Sequence, residues 1–335
     1  MEEWRPRHNP WLIALGVMLA TFMEVLDTSI ANIALPHIAG SLSATPDEAT
    51  WVLTSYLVSN AIILPMTGWL SNYFGRKRLL IMCIGFFTVT SALCGAAPTL
   101  SLLVIARILQ GVGGGAMVPI AQAVLLESFP PQKRGVAMAA FAQGVVVAPI
   151  LGPTLGGWIT DNSSWRWIFY VNLPFGLLAM FMAQWLVEDP PYIKRNKRAT
   201  IDFIGFGLLC IGLGALQITL DKGQDADWFG AVWIRWMTII SCVAIIAFIA
   251  REFTTEHPLV DLRVFRNRNF AVGVFLMMLL AGVLYGTTAE LPLFMQTLMG
   301  YPALQSGLTQ SPRGVAAFIT TFIVGRIVGK VRNRY

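Results

Sequence analysis

The chain has 335 residues, of which 56% are hydrophobic and only 13% charged, about half the roughly 25% charge of a soluble domain. A mean hydropathy of +0.64 excludes an intrinsically disordered chain and argues against a water-soluble globule. The class left is a membrane protein with many crossings, and at about 20 apolar residues per helical crossing the length allows at most about 14. The net charge of +6 then reflects basic loops held on the cytoplasmic side of a membrane rather than a nucleic-acid partner.

Ten apolar runs read as spans, near residues 11–35, 50–71, 79–97, 100–126, 134–159, 165–187, 201–220, 232–251, 269–298 and 304–328. They are longer and more continuously apolar than the alternating segments of a membrane barrel, so helices are expected. The first run follows Arg5 and Arg7 as a secretory signal does. It continues past Asp27 without a cleavage site and is read as an uncleaved span. With the N-terminus in the cytoplasm, most of the 24 Lys and Arg fall in cytoplasmic segments, against Arg166, Lys222 and Arg235 outside. An even number of spans puts both chain ends inside. Pro190 and Pro191 stop the sixth helix, and Lys194, Arg195, Lys197 and Arg198 make 188–200 the best domain boundary. A second break falls at 252–268.

Cys83, Cys94, Cys210 and Cys242 each lie inside an apolar run with no C-x-x-C pattern, and are read as small apolar helix residues. His8, His37 and His257 lie outside the runs, which leaves no basis for a metal site or a histidine triad. No nucleophile–base–orienter set points to an enzyme, and no G-x-x-x-x-G-K-[ST] loop supplies a nucleotide engine.

A charge at mid-bilayer costs about 2.5–3.5 kcal/mol on insertion scales, so each one asks for a reason. Glu24 and Asp27 are three apart on one face of the first span, flanked by Thr21 and Thr28. Two readings fit: a proton or substrate role, or a buried partner for an arginine elsewhere. Arg107 and Gln110 share a face of the fourth span, and the guanidinium is expected to meet carboxylates or carbonyls of a neighbouring helix. Gly111, Gly113, Gly114 and Gly115 follow and permit close helix approach. Their G-x-G-x-x-A pattern lacks the preceding strand of a dinucleotide site and is rejected as one.

The fifth span carries Ala140, Gly144, Ala148, Gly152 and Gly156 at every fourth position, with Pro149 and Pro153 expected to bend it. Packing alone, or a bending and sealing element, both fit. In the ninth span Glu290 precedes Pro292, with Thr287, Thr288 and Gln296 nearby, as a polar lining or a structural group. Arg313 follows Pro312 in the tenth. Between spans two and three, Gly68 and Gly75 are expected to give a tight turn, followed by the anchoring cations Arg76, Lys77 and Arg78.

Together these segments resemble the major facilitator superfamily, and within it the fourteen-span drug:proton antiporters of the EmrB/QacA type, EmrB-like pumps of Gram-negative inner membranes above all. Leu26–Pro36 is similar to the first-span signature, and Gly68–Leu80 to the loop signature between spans two and three. Arg107–Gly114 resembles the fourth-span signature, whose arginine is tied to proton movement. Gly152-Pro153-Thr154-Leu155-Gly156-Gly157 resembles the fifth-span antiporter signature, and Trp165–Pro174 the family's entry to span six. The chain departs from the pattern at Asn72, where the loop signature has an aspartate, at Ser29 for threonine and at Ala148 for glycine. Only Gly329, Lys330, Arg332 and Arg334 suggest the second-half copy of the loop.

The resemblance implies a complete six-helix bundle (residues 1–188), a cytoplasmic linker (189–200), two inserted helices with their loop (201–268) and the first two helices of an incomplete second bundle (269–335). Ten spans against fourteen make the chain read as C-terminally truncated. The implied activity is proton-coupled efflux of amphipathic drugs across a bacterial inner membrane, without a cofactor beyond the proton gradient. Asp27, Glu24 and Arg107 would couple protons, and Thr28, Asn32, Gln110, Glu290 and Gln296 would line the substrate cavity. Gly68, Asn72, Gly75, Arg76, Gly152, Pro153, Gly156 and Gly157 would serve gating and packing. Implied partners are the bilayer, the substrates, and a periplasmic adaptor with an outer-membrane channel. The alternatives are export of one specific metabolite, fatty acid or siderophore, and a truncated membrane protein that does not transport.

Overall fold

The computed structural model describes residues 6–190, 202–224, 226–256 and 258–328. The linker cations Lys194, Arg195, Lys197 and Arg198, His257, and Gly329, Lys330, Arg332 and Arg334 lie outside the described residues. Those described are helical throughout, without strands. Helix α1 (Pro10–Ser41) starts on Asn9, whose side chain accepts from the Trp11 amide, with Pro10 placed where no helical donor is needed. Helix α2 (Pro46–Phe74) opens on a capping box. The Glu48 amide donates to Thr45 Oγ1 at 3.2 Å, and the Thr45 amide donates to Glu48 Oε2 at 2.9 Å. It tightens to a 3-10 turn at Leu64–Met66, around Pro65.

Helices α3 (Arg76–Ala96), α4 (Leu100–Ser128), α5 (Pro131–Asn162) and α6 (Trp167–Leu186) follow. The glycine run of α4 ends its first segment at Gly114, and a second begins at Met117. Helix α5 stays continuous through Pro149 and Pro153. Then come α7 (Phe203–Lys222), α8 (Val232–Thr254), α9 (Arg268–Thr297) and α10 (Ala303–Val328). Among the described residues, nine helices are long and apolar enough to cross a membrane. The tenth expected span also forms a helix, α10.

Helix α1 is the core of the structure. Of its most apolar stretch 67% is buried, against none of the corresponding stretch of α9. Large apolar side chains on α7, α8 and α9 face outward, as lipid-facing positions do. The small residues of α5 serve two neighbours. Gly144 lies against Met18, Gly152 against Ser29 and Gly156 against Ile30 of α1. On its other side Gly157 meets Ala303 and Leu304, and Pro153 and Ile150 meet Gly307 and Gly314 of α10. The stripe is thus one half of a double interface, with α5 between α1 and α10.

Helices α7 and α8 pack on each other, and α7 also touches α2. At one end of this pair Asp202 caps α7 by accepting from the Gly205 amide at 3.0 Å, and takes Arg251 Nε of α8 at 2.7 and 2.8 Å. Burial pushes the Asp202 carboxyl up, but the Gly205 amide and the Arg251 cation outweigh it and hold the group below its ordinary 3.8. A depressed carboxylate stabilises the fold above its unfolded value and loses that contribution as pH falls through the folded one. Asp202→Asn is therefore expected to lower the melting temperature at neutral pH, with the deficit shrinking as pH falls below 3.8. Detergent-solubilised thermal melts across that range check it.

Candidate functional site: a buried ion pair held by five helices

Asp27 and Glu24 share the inward face of α1, as their spacing requires, yet they occupy different surroundings. Asp27 is 2% exposed and Arg107 of α4 is fully buried. Arg107 Nη1 donates to Asp27 Oδ2 at 2.5 Å and to Gln110 Oε1 at 2.7 Å, and Nε donates to the Val52 carbonyl of α2 at 2.9 Å. Gln110 Nε2 donates to Asp27 Oδ1 at 3.1 Å, and Asn172 Nδ2, at the start of the main segment of α6, donates to the same oxygen at 2.6 Å. From α3, Cys94 Sγ donates to Gln110 Oε1 at 3.4 Å, and Ser91 Oγ accepts from Asn172 at 2.9 Å. The guanidinium carbon sits 4.3 Å from the centre of the Tyr56 ring and 5.6 Å from that of Phe169, close enough for cation–π attraction. Both carboxylate oxygens thus meet donors only.

Among the described residues, no cation pairs with Glu24. Asn60 Nδ2 donates to Glu24 Oε1 at 3.0 Å, and the Tyr56 hydroxyl lies at 3.5 Å. Its Oε2 is buried without a hydrogen-bond partner among the described residues. Close approach builds this corner. Gly111 lies against Tyr56 and Ser59, Gly114 beside the Tyr56 hydroxyl and Glu24, and Gly115 against the Asn60 carbonyl. The expectation that the α4 glycines bring helices together holds at each.

The hydroxyls of the threonines that flank these carboxylates bond to backbone carbonyls of α1. Thr21 donates to Met18 O at 3.0 Å and Thr28 to Glu24 O at 2.9 Å, both on their own helix. Asn32 is buried further along α1, outside the Asp27 network. Glu290 and Gln296 are not brought together. Glu290 lines an open groove of about 550 Å³ with Thr287, Phe294 and Thr297, whereas Gln296 Nε2 donates to the Ile33 carbonyl of α1 at 3.0 Å. Arg313, which had no partner in the sequence reading, donates to the hydroxyls of Thr287 and Thr288. Near Gln296, Asp161 of α5 accepts from the Leu304 amide at the start of α10 at 2.8 Å and lies 4.0 Å from His37.

The loop between α2 and α3 corrects one expectation. Gly68 lies inside the last helical segment of α2 with open space around it, so it does not make the turn. Gly75 alone does, at φ 85° and ψ 155°, a region open essentially to glycine. Asn72 is exposed. Arg76 pairs with Glu127 of α4, and the Lys77 amide donates to Asp189 Oδ1 at 2.8 Å beyond α6.

Tyr56, Asn60 and Ser91 were not singled out by sequence reasoning, Asn172 only as part of the segment Trp165–Pro174, and Cys94 only as an apolar residue. The signal available was weak: single polar side chains in apolar runs, uncharged and without a telling spacing. Only the convergence of α1, α2, α3, α4 and α6 gives them a common target.

An all-helical, multiply crossing chain with an acid–base network locked in its helical core has the architecture of a membrane transporter. The chain belongs to the Major Facilitator Superfamily, whose family model matches residues 17–335. It is 39% identical to the "Multidrug export protein EmrB" of Escherichia coli (strain K12), over 100% of this chain and 65% of that protein. It is 41% identical to the protein of the same name from Haemophilus influenzae, and 41% identical to the "Fatty acid resistance protein FarB" of Neisseria gonorrhoeae, in each case over 96% of this chain and 63% of the relative. The chain thus spans somewhat less than two thirds of the length of these relatives. In structure it resembles a partially occluded, inward-open form of the xylose transporter XylE (TM-score 0.62, 15% identity, 98% of this chain and 75% of that one). The human organic anion transporter MFSD10 is similar (TM-score 0.63, 16% identity, 96% and 73%). At these identities the likeness concerns the fold alone.

Two outcomes follow from this geometry. Asp27→Leu or Arg107→Met alone leaves a buried charge uncompensated and is expected to cost about 3–5 kcal/mol, most of it regained in the double variant. Denaturation in mixed micelles measures all three. Gly75→Ala is expected to cost about 1–3 kcal/mol through its backbone angles, whereas Gly68→Ala in the helix gains about 0.5–1 kcal/mol. Thermal melts of the two variants separate the positions.

Proposed function

We propose that the full-length protein exports amphipathic, largely apolar compounds from the cytoplasm of a bacterium in exchange for protons. The observation that carries this reading is the fully buried Arg107 bonded to Asp27. A structural ion pair in hydrocarbon is costly, but a pair that takes and releases a proton couples a gradient to movement. Asp27 takes the proton from outside and releases it inside, and Glu24 is the second carboxylate. Arg107 favours the ionised form of Asp27 and so sets when the proton leaves. Protonation and substrate binding exclude each other, so the proton gradient is the only energy source required. Gln110, Thr28, Asn32, Glu290 and Gln296 belong to the cavity in this reading. The 1–188 bundle, the linker 189–200, the inserted pair 201–268 and the start of a second bundle at 269 are its moving parts.

The protein sits in the inner membrane with its N-terminus in the cytoplasm, on the strength of its basic loops. A periplasmic adaptor and an outer-membrane channel would complete the export path. The names of the EmrB relatives support drug export, and that of the FarB relative favours a second reading, export of fatty acids. Protection of growth against a drug panel, compared with long-chain fatty acids, separates the two.

The primary test is ethidium efflux from vesicles holding the full-length protein under an imposed proton gradient. Asp27→Asn and Arg107→Ala are each expected to reduce gradient-driven efflux to the level of empty vesicles. Undiminished proton-dependent efflux in both variants would overturn the reading.

A further inference from the structure

Asn172 stands at the meeting point of three helices and is fully buried. Its Nδ2 reaches Asp27 Oδ1 of α1 at 2.6 Å and Ser91 Oγ of α3 at 2.9 Å, and Ser91 in turn donates to the Phe169 carbonyl of α6 at 2.9 Å. The other end of the same amide, Oδ1, is buried without a hydrogen-bond partner among the described residues. An amide carries two donors on one end and an acceptor on the other, and the two ends have nearly the same shape.

The hydrogen-bond partners of Asp27 are all donors. Arg107 and Gln110 Nε2 both donate to it, and Gln110 Oε1 is already taken by Arg107 and Cys94. A protonated Asp27 needs an acceptor for its new O–H, because a buried donor left unmade costs about 1–3 kcal/mol. The titratable or charged groups around it are Glu24 on α1, Tyr56 on α2, Cys94 on α3 and Arg107 on α4. Helix α5 faces this stretch with Gly152 against Ser29. From α6 comes the neutral amide of Asn172.

We infer that Asn172 is a positioning residue that serves both protonation states of Asp27, its NH2 end donating to the carboxylate and its carbonyl end accepting the proton of the acid after the amide turns over. The inference rests on the antiport reading above, and adds to it a residue that carries the protonation state to α3 and α6. The turn needs no bond broken except hydrogen bonds. The proton on Asp27 donates to Asn172 Oδ1, while Nδ2 leaves both Asp27 and Ser91. Loss of the Asn172–Ser91 bond leaves the bond from Ser91 to the Phe169 carbonyl to link α3 and α6 at this site, so the contact between the two helices changes at the moment Asp27 is neutralised. Protonation is thereby tied to helix contacts rather than to charge alone.

The test compares wild type, Asp27→Asn, Asn172→Leu and Asn172→Gln of the full-length protein in the same vesicles, scanning pH at fixed gradient. Asn172→Leu removes a donor to the carboxylate and an acceptor for the acid. It is expected to keep ethidium binding, lower maximal efflux several-fold and flatten its pH profile, with KM little changed. Asn172→Gln keeps both ends of the amide and is expected to restore the wild-type profile in part. Should Asn172→Leu fail to fold, Ser91→Ala serves in its place, since it frees the amide from α3, and a smaller change in the same profile is expected. A wild-type profile in the Asn172 or Ser91 variant, with Asp27→Asn uncoupled, overturns the role of Asn172 and leaves the antiport reading standing. Proton-driven efflux that survives Asp27→Asn overturns both.

Discussion

The bond between Arg107 and Asp27 organises the molecule because neither group can be left alone in hydrocarbon. A fully buried guanidinium has five donors to place and no water to receive them. Asp27 Oδ2, Gln110 Oε1 and the Val52 carbonyl take three of its hydrogen bonds, and the Tyr56 and Phe169 rings cover its faces. Nη2 is buried without a hydrogen-bond partner among the described residues, and the bonds that Nε and Nη1 do make tie α4 to α1 and α2. Asn172 and Ser91 extend the same requirement to α6 and α3.

The glycines are the counterpart of this polar network. Gly111, Gly114 and Gly115 remove the side chains that would hold α4 away from α2, and so let Arg107 Nε reach the Val52 carbonyl while Nη1 meets Asp27. Helix α5 applies the same principle twice, against α1 through Gly152 and Gly156 and against α10 through Gly157. Interfaces built of small residues bury little polar surface and interlock without long side chains.

Much of the fold was legible before any coordinates. Long continuous apolar runs admit only helices in a bilayer, and the ten runs recur as α1 to α10 with ends shifted by a few residues. Charges in spans were equally legible, since each carries an insertion cost that demands a partner. Hence Glu24, Asp27 and Arg107 stood out while Asn60, Asn172 and Ser91 did not: a neutral amide or hydroxyl in a span costs less than a charge and has no characteristic spacing. Gly68 was misread for a related reason. A glycine's permissiveness is visible in sequence, but only the backbone angles tell which of two glycines uses it, and here Gly75 does.

By itself, then, the sequence determined a multiply crossing helical protein, the positions of its crossings, and the residues too polar to face lipid. These follow from local composition, because solvation in a bilayer is decided residue by residue and span by span. The tertiary structure alone decided that Arg107 meets Asp27 rather than Glu24, that Asn60 and Tyr56 attend Glu24, and that Asn172 bridges Asp27 to Ser91. Those partnerships join residues as much as 145 positions apart, and hydrogen bonds hold only within a few tenths of an ångström. No periodicity along a chain encodes a distance of that kind between two helices.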